Sequence, residues 1–151
     1  MSILKVVAGT ERNCMMSKVF IDTNILVYAM DVHDIEKQQT CRRRLKSLTQ
    51  DNTGVLSTQV LQEFYVTATR KLSVDPLAAK EMLISFDHFE IVINTPQIIN
   101  EAIDCGIINK LSFWDALIVV AAENAKCDTI LTEDLNHGQI IRGMKIKNPF
   151  L

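Results

Sequence analysis

Apolar positions in this chain fall into two rhythms, short unbroken runs and longer stretches with one apolar side, and each change of rhythm predicts an element boundary. Val19, Phe20 and Ile21 read as a buried strand that stops at Asp22, and Thr23 to Ala29 have the composition of a helix that starts at once. Asp22 is therefore expected at the C-terminal edge of a strand, the edge where open α/β sheets bind ligands. His33 to Thr49 reads as a helix whose sparse apolar side is Ile35, Cys41, Leu45 and Leu48, ended by Asn52 and Gly54. Its other face carries Arg42, Arg43, Arg44 and Lys46, which on pattern alone is a solvated helix face.

Val55 and Leu56 make a short second strand, and Ser57 or Thr58 can cap a helix running to Leu72. The stripe Leu61, Phe64, Tyr65, Ala68 and Leu72 recurs at helical spacing and predicts its buried face. Glu63 lies off that stripe, so taken singly it reads as solvent-exposed. Asp75-Pro76 and Thr95-Pro96 each place a cap before a proline at the first helical position. They predict helices over PLAAKEMLISF and over PQIINEAIDCG, the second ended by Gly106, with Phe89 to Asn94 as the strand between them. Ser112-x-x-Asp115 has the form of a capping box for FWDALIVVAAENAK, apolar nearly all round from Ala116 to Ala122 and so expected to be buried. Thr129 to Leu131 follow as a core strand with Thr132, Glu133 and Asp134 at its end. A short strand or hairpin around Ile140 to Lys147 closes the chain. Strands alternating with helices imply an α/β domain with a mostly parallel central sheet flanked by helices on both faces.

Composition narrows the class. With 151 residues, 48% of them hydrophobic, one domain with a sizeable core is expected over residues 18–151. The longest apolar run is far short of the roughly 20 residues that span a bilayer, so no membrane role is expected. Residues 1–17 lack the apolar length and cleavage site of a signal peptide. They read as an extension, or as a consequence of a start placed upstream of the true one at Met15 or Met16. Cys14, Cys41, Cys105 and Cys127 show no CxxC pairing and no zinc-finger spacing with His33, His88 or His137, which suggests core packing in a reducing cytoplasm. A net charge of −2 argues against non-specific coating of nucleic acid.

Four carboxylates then draw attention by placement. Asp22 and Asp134 end strands, while Glu63 and Asp115 sit in the early turns of helices expected to open on the same edge. Each has a plain structural alternative: cap or turn for Asp22 and Asp134, solvated surface for Glu63, capping box for Asp115. Were all four to face one cleft, a pair at about 4 Å would repel by roughly 4 kcal/mol at an effective dielectric near 20. Such a cluster calls for protons or a cation, and hard divalent ions prefer carboxylate and water oxygens. Metal-assisted phosphodiester hydrolysis is the chemistry this composition favours. No nucleophile triad, P-loop, GxGxxG or HExxH competes for the role.

The segments VFIDTNILVYA, STQVLQEFYVTATRK, LSFWDALIVVAA and ILTEDLNHGQ, with the terminal IKNPF, resemble a PIN domain, specifically the VapC-type ribonuclease toxins of toxin-antitoxin pairs. Over Lys18 to Leu151 the resemblance implies a five-stranded, mostly parallel sheet, a homodimer, and an antitoxin whose C-terminal segment occupies the acidic cleft. It implies a Mg²⁺-dependent endoribonuclease, with Mn²⁺ as the alternative ion, cutting structured RNA such as a transfer or ribosomal RNA. Asp22, Glu63, Asp115 and Asp134 correspond to the family's ordered acids. Asp22 and Asp115 would be the principal metal ligands, with Glu63 and Asp134 completing the site directly or through water. Asn24 and Thr132 resemble the polar residues that support them, and Arg42, Arg43 and Arg44 become candidate RNA-backbone contacts, with Arg70 and Lys71 behind them.

Rival readings predict different residues. A phosphoacceptor or dehalogenase-like phosphatase wants D-x-D after the first strand, where this chain has Asp22-Thr23-Asn24, and it leaves Glu63 and Asp115 unexplained. A non-catalytic metal- or RNA-binding module of the same fold would be expected to lose acids that are present here. A structure-specific DNA nuclease would be expected to carry more acids and longer insertions.

Overall fold

The computed structural model describes residues 17–151; the expected N-terminal extension, Ser17 apart, lies outside them. Six strands form one sheet in the order β3-β2-β1-β4-β6-β5. They are β1 (Val19–Ile21), β2 (Gly54–Ser57), β3 (Glu90–Val92), β4 (Thr129–Leu131), β5 (Ile140–Ile141) and β6 (Met144–Lys147). All neighbours pair parallel except β5, which runs antiparallel to β6. The resemblance implied five strands; among the described residues the count is six because the closing segment is a hairpin. Arg142 and Gly143 both take positive φ, the two-residue turn that matches strand twist.

Helices α1 (Thr23–Tyr28), α2 (Ile35–Asp51), α3 (Thr58–Arg70), α4 (Pro76–Ser85), α5 (Pro96–Asn109) and α6 (Phe113–Asn124) connect the strands. The caps read from the sequence are made. Asp75 accepts from the Leu77 and Ala78 amides, Thr95 from Ile98, and Ser57 from Val60. No single helix among the described residues is long and apolar enough to cross a membrane. Helix α6 is instead the core helix, with Ala116 to Ala122 all buried.

One boundary and one buried face differ from the expected ones for physical reasons. The predicted stop at Gly106 is not a stop: α5 continues to Asn109 and ends at Lys110, which takes the left-handed conformation at φ 55°. Gly106 serves close approach, since a Cβ there would lie 3.2 Å from the Leu111 carbonyl oxygen and 3.5 Å from Ala116 Cβ. The buried face of α3 is also rotated from the expected stripe. Val60, Phe64 and Ala68 are buried while Tyr65 is 38% exposed, because Phe64 turns toward Phe86, with which it packs edge-on at 5.1 Å. Glu63 thereby sits on the border of the buried face instead of opposite to it. Cys41, Cys105 and Cys127 are free and buried.

Candidate active site

Strand register builds the site. Ile21 pairs with Leu131 in the parallel β1–β4 ladder, and the Asp22 amide still donates to the Leu131 carbonyl at 3.0 Å. The next residue on each strand, Asp22 and Thr132, therefore emerges side by side at the C-terminal edge of the sheet. Thr132 Oγ1 donates to Asp22 Oδ2 at 2.7 Å, and the Thr23 amide donates to Asp22 Oδ1 at 2.7 Å. Asp22 is thus the N-cap of α1 and a member of the cluster at once.

Thr132 is completely buried and is the hub of this corner. Its hydroxyl also accepts from the Asp134 amide at 3.0 Å, which turns the chain so that Asp134 faces the cleft. Asn24 Nδ2 donates to Asp134 Oδ2 at 3.0 Å and reaches Asp22 Oδ2 at 3.5 Å. Glu133 leaves the site: its carboxylate pairs with Lys37, whose ammonium also lies over the Tyr28 and Phe150 rings. Replacing Thr132 by Val keeps the shape but removes a donor from one buried group and an acceptor from another. A stability loss of about 1–3 kcal/mol by chemical denaturation is expected; a loss below experimental error would show that Thr132 only fills space.

Glu63 arrives from α3. Its Oε2 accepts from Thr23 Oγ1 at 2.8 Å and its Oε1 from Gln59 Nε2 at 2.7 Å. Asp115 arrives in the first turn of α6, where its amide is capped by Ser112 Oγ at 3.1 Å. The capping-box amide bond is therefore present, and it fixes the backbone that carries the half-buried Asp115 side chain.

Electrostatics tie these groups together. Burial pushes the Asp22 carboxyl up to about 6 against the opposing hydrogen bonds of Thr132 and Thr23, and the charges of Asp134 and Glu63 push it the same way. Asp115 is also raised, by burial first, with Ser112 opposing and Asp134 and Glu63 adding. Among the described residues no salt bridge involves Asp22, Glu63, Asp115 or Asp134, whereas Glu90, Glu101, Glu123 and Glu133 each have a basic partner. Nor do three acidic, His or Cys side chains among those residues come close enough to enclose a cation alone. The donors that the site offers are all oxygens and carry uncompensated charge, which is the donor chemistry that Mg²⁺ or Mn²⁺ takes. It does not suit a closed structural zinc site.

Two depressions meet at Glu63. One, about 350 Å³, is lined by Thr23, Asn24, Tyr28, Glu63, Lys71 and Asp134 among others. The other, about 430 Å³, runs past Gln59, Gln62, Glu63, Val66, Thr67 and Trp114, which is 62% exposed. Arg42 and Arg43 are exposed on α2; Arg42 Nε is bonded to the Ala29 carbonyl at 2.7 Å and Arg43 to Thr40 Oγ1 at 3.4 Å. Of the basic residues named from the sequence, Lys71 lines the acidic depression. Thr23, Gln59 and Trp114 were not singled out from the sequence. Gln59, one helical turn before Glu63, carried the one readable signal, an i, i+4 polar pair.

The sequence family described as PIN domain matches residues 19–142. A toxin-antitoxin complex from Klebsiella pneumoniae superposes with a TM-score of 0.65 at 19% identity, covering 88% of this chain and 98% of its own. VapC20 of Mycobacterium tuberculosis, described as a Sarcin-Ricin loop cleaving toxin, gives 0.63 at 18% identity, with 75% and 87% covered. VapBC2 from Rickettsia felis, bound to a fragment of its promoter DNA, gives 0.63 at 21%, with 86% and 97% covered. Among curated proteins no sequence matches the chain.

Proposed function

Since the chain belongs to the PIN domain family, we propose that it is a divalent-metal-dependent endoribonuclease, acting as the toxin of a toxin-antitoxin pair. What supports this reading is that Asp22, Glu63 and Asp134 are tied together through Thr132, Thr23 and Asn24, with Asp115 feeling the charges of Asp134 and Glu63, and that none of the four has a basic partner among the described residues. Asp22 and Asp115 would hold the cation, Mg²⁺ or Mn²⁺, with Glu63 and Asp134 beside them. The bound ion supplies the positive charge that an attacked phosphodiester demands. The chain's own part is orientation. Thr132 and the Thr23 amide aim Asp22, Asn24 aims Asp134, and Thr23 with Gln59 aims Glu63. The basic groups suited to the RNA backbone are Lys71 in the acidic depression and the exposed arginines of α2.

Partners follow the same reading. One of the neighbouring folds is described as a toxin-antitoxin complex, which supports a cognate antitoxin here. Ile99, Ile103 and Ile107 recur every fourth residue on the outer face of α5 and are 38%, 48% and 73% exposed. This unpartnered face supports a homodimer.

The test is cleavage of total cellular RNA by the purified full chain, free of other proteins, with Mg²⁺, with Mn²⁺ and with chelator, beside Asp115→Asn. Discrete fragments that need metal and fall at least about 100-fold in the variant are expected, since the lost interaction is worth several kcal/mol in the transition state. Equal behaviour of both proteins, with metal still bound, would make the chain a binding module. Metal-dependent cutting of DNA but not RNA would favour the DNA-nuclease reading.

A further inference from the structure

We propose that Gln59 is a positioning residue that locks the Glu63 carboxylate to the α6 turn bearing Asp115 and so sets the approach of both acids to the cation. The inference rests on the metal-binding part of the function proposed above and assigns the work to a neutral side chain outside the acidic set.

Gln59 is 4% exposed, in the first turn of α3. Its Nε2 donates to Glu63 Oε1 at 2.7 Å and to the Trp114 carbonyl oxygen at 3.3 Å. Both partners are pure acceptors, so the amide has only one orientation that satisfies them, with nitrogen toward the site. That orientation leaves Gln59 Oε1 buried with no hydrogen-bond partner. A buried acceptor without a donor destabilises a fold. An apolar side chain of the same length would fill the position without that cost, so the amide is explained by its nitrogen and by what the nitrogen holds.

What it holds is the junction between two elements. Trp114 precedes Asp115 on α6, and Glu63 lies one turn beyond Gln59 on α3. The other Glu63 oxygen is taken by Thr23 Oγ1 at 2.8 Å, from the residue after Asp22. Glu63 is therefore suspended between the α1 and α6 corners by two neutral donors. These fix the carboxylate without neutralising its charge, as outer-shell partners of metal ligands do.

The variant is Gln59→Met, equal in length and unable to donate. Two measurements are made on the metal-free full chain: Mn²⁺ affinity by electron paramagnetic resonance, and the thermal midpoint in chelator. We expect Mn²⁺ to bind about 10- to 100-fold more weakly with a midpoint at or above that of the wild type, because the orphan acceptor is gone. A lowered midpoint with unchanged Mn²⁺ affinity would mean a packing role and overturn the inference. In a Glu63→Ala background the same substitution should change Mn²⁺ affinity no further; an additional loss of full size would show that Gln59 does not act through Glu63. Should the Met variant fail to fold, Gln59→Asn, which withdraws the amide by one methylene while keeping its oxygen, carries the same expectation for Mn²⁺ affinity, and unchanged affinity in it overturns the inference. Wild type that binds Mn²⁺ but cuts no RNA defeats the nuclease reading and leaves this inference standing. Wild type that cuts RNA while Gln59→Met binds Mn²⁺ normally defeats this inference alone. Wild type that does not bind Mn²⁺ defeats both.

Discussion

Replacing Asp22 by Asn is expected to abolish RNA cleavage, by a factor of about 1,000 or more, while making the metal-free protein more stable at neutral pH. The two effects share one cause. Burial and the neighbouring acids hold the Asp22 carboxyl at about 6 in the fold against an ordinary 3.8. Well below 3.8 folded and unfolded chains both carry the proton, and no penalty exists; it grows between about 3.8 and 6. As pH rises through about 6 the unfolded chain has released its proton and the folded chain must follow into a site that disfavours the charge. That contributes on the order of 3 kcal/mol against the fold at pH 7. Asn removes the charge but gives Thr132 an amide nitrogen or a single oxygen where it now meets Asp22 Oδ2, returning about 1 kcal/mol. The net gain of about 2 kcal/mol should raise the thermal midpoint in chelator by roughly 5 °C at pH 7 and disappear near pH 4. Added Mg²⁺ should reverse the order, because only the wild type gains binding energy. A variant less stable than wild type in chelator at pH 7 would mean that the α1 cap outweighs the charge.

Phe64→Ala is expected to cost about 3–5 kcal/mol, a large share of the roughly 5–15 kcal/mol that holds a domain folded. Phe64 is fully buried, packs edge-on against Phe86, and follows Glu63 directly on α3. A cavity there lets α3 shift relative to the sheet, so surviving folded protein should also bind Mn²⁺ more weakly. Chemical denaturation and Mn²⁺ titration read the two effects separately. A cost below about 1 kcal/mol would place Phe64 outside the well-packed core.

The elements were legible in the sequence because local chemistry decides them. Asp75-Pro76 and Thr95-Pro96 start helices whatever lies around them, and the run Val19 to Ile21 can hardly be anything but a central strand. The failures were tertiary. Gly106 looked like a terminator, and only the nearness of Leu111 and Ala116 shows that it is a point of contact between helices. The stripe on α3 holds at Phe64 and Ala68 but Val60 takes the place expected of Tyr65, because Phe86, from a different element, draws Phe64 and the face beside it inward. The acids themselves were readable, each at a strand end or a helix start. Their supports were partly so. Asn24 and Thr132 stood beside acids in the sequence, and Gln59 left only the faint signal of a polar pair one helical turn from Glu63. Thr23 reaches Glu63 across 40 residues, and a contact of that kind leaves no local pattern.

Both outer strands of the sheet are very short: β3 has three residues and β5 has two. Backbone groups left open on such edges give an incoming strand almost no ladder to extend. Self-association through the sheet into fibrous aggregates is accordingly disfavoured, even with Ile140 70% exposed on β5. The antitoxin proposed above would therefore have to read side chains, in the carboxylate cleft or along the isoleucines of α5, and its specificity would be written in those residues.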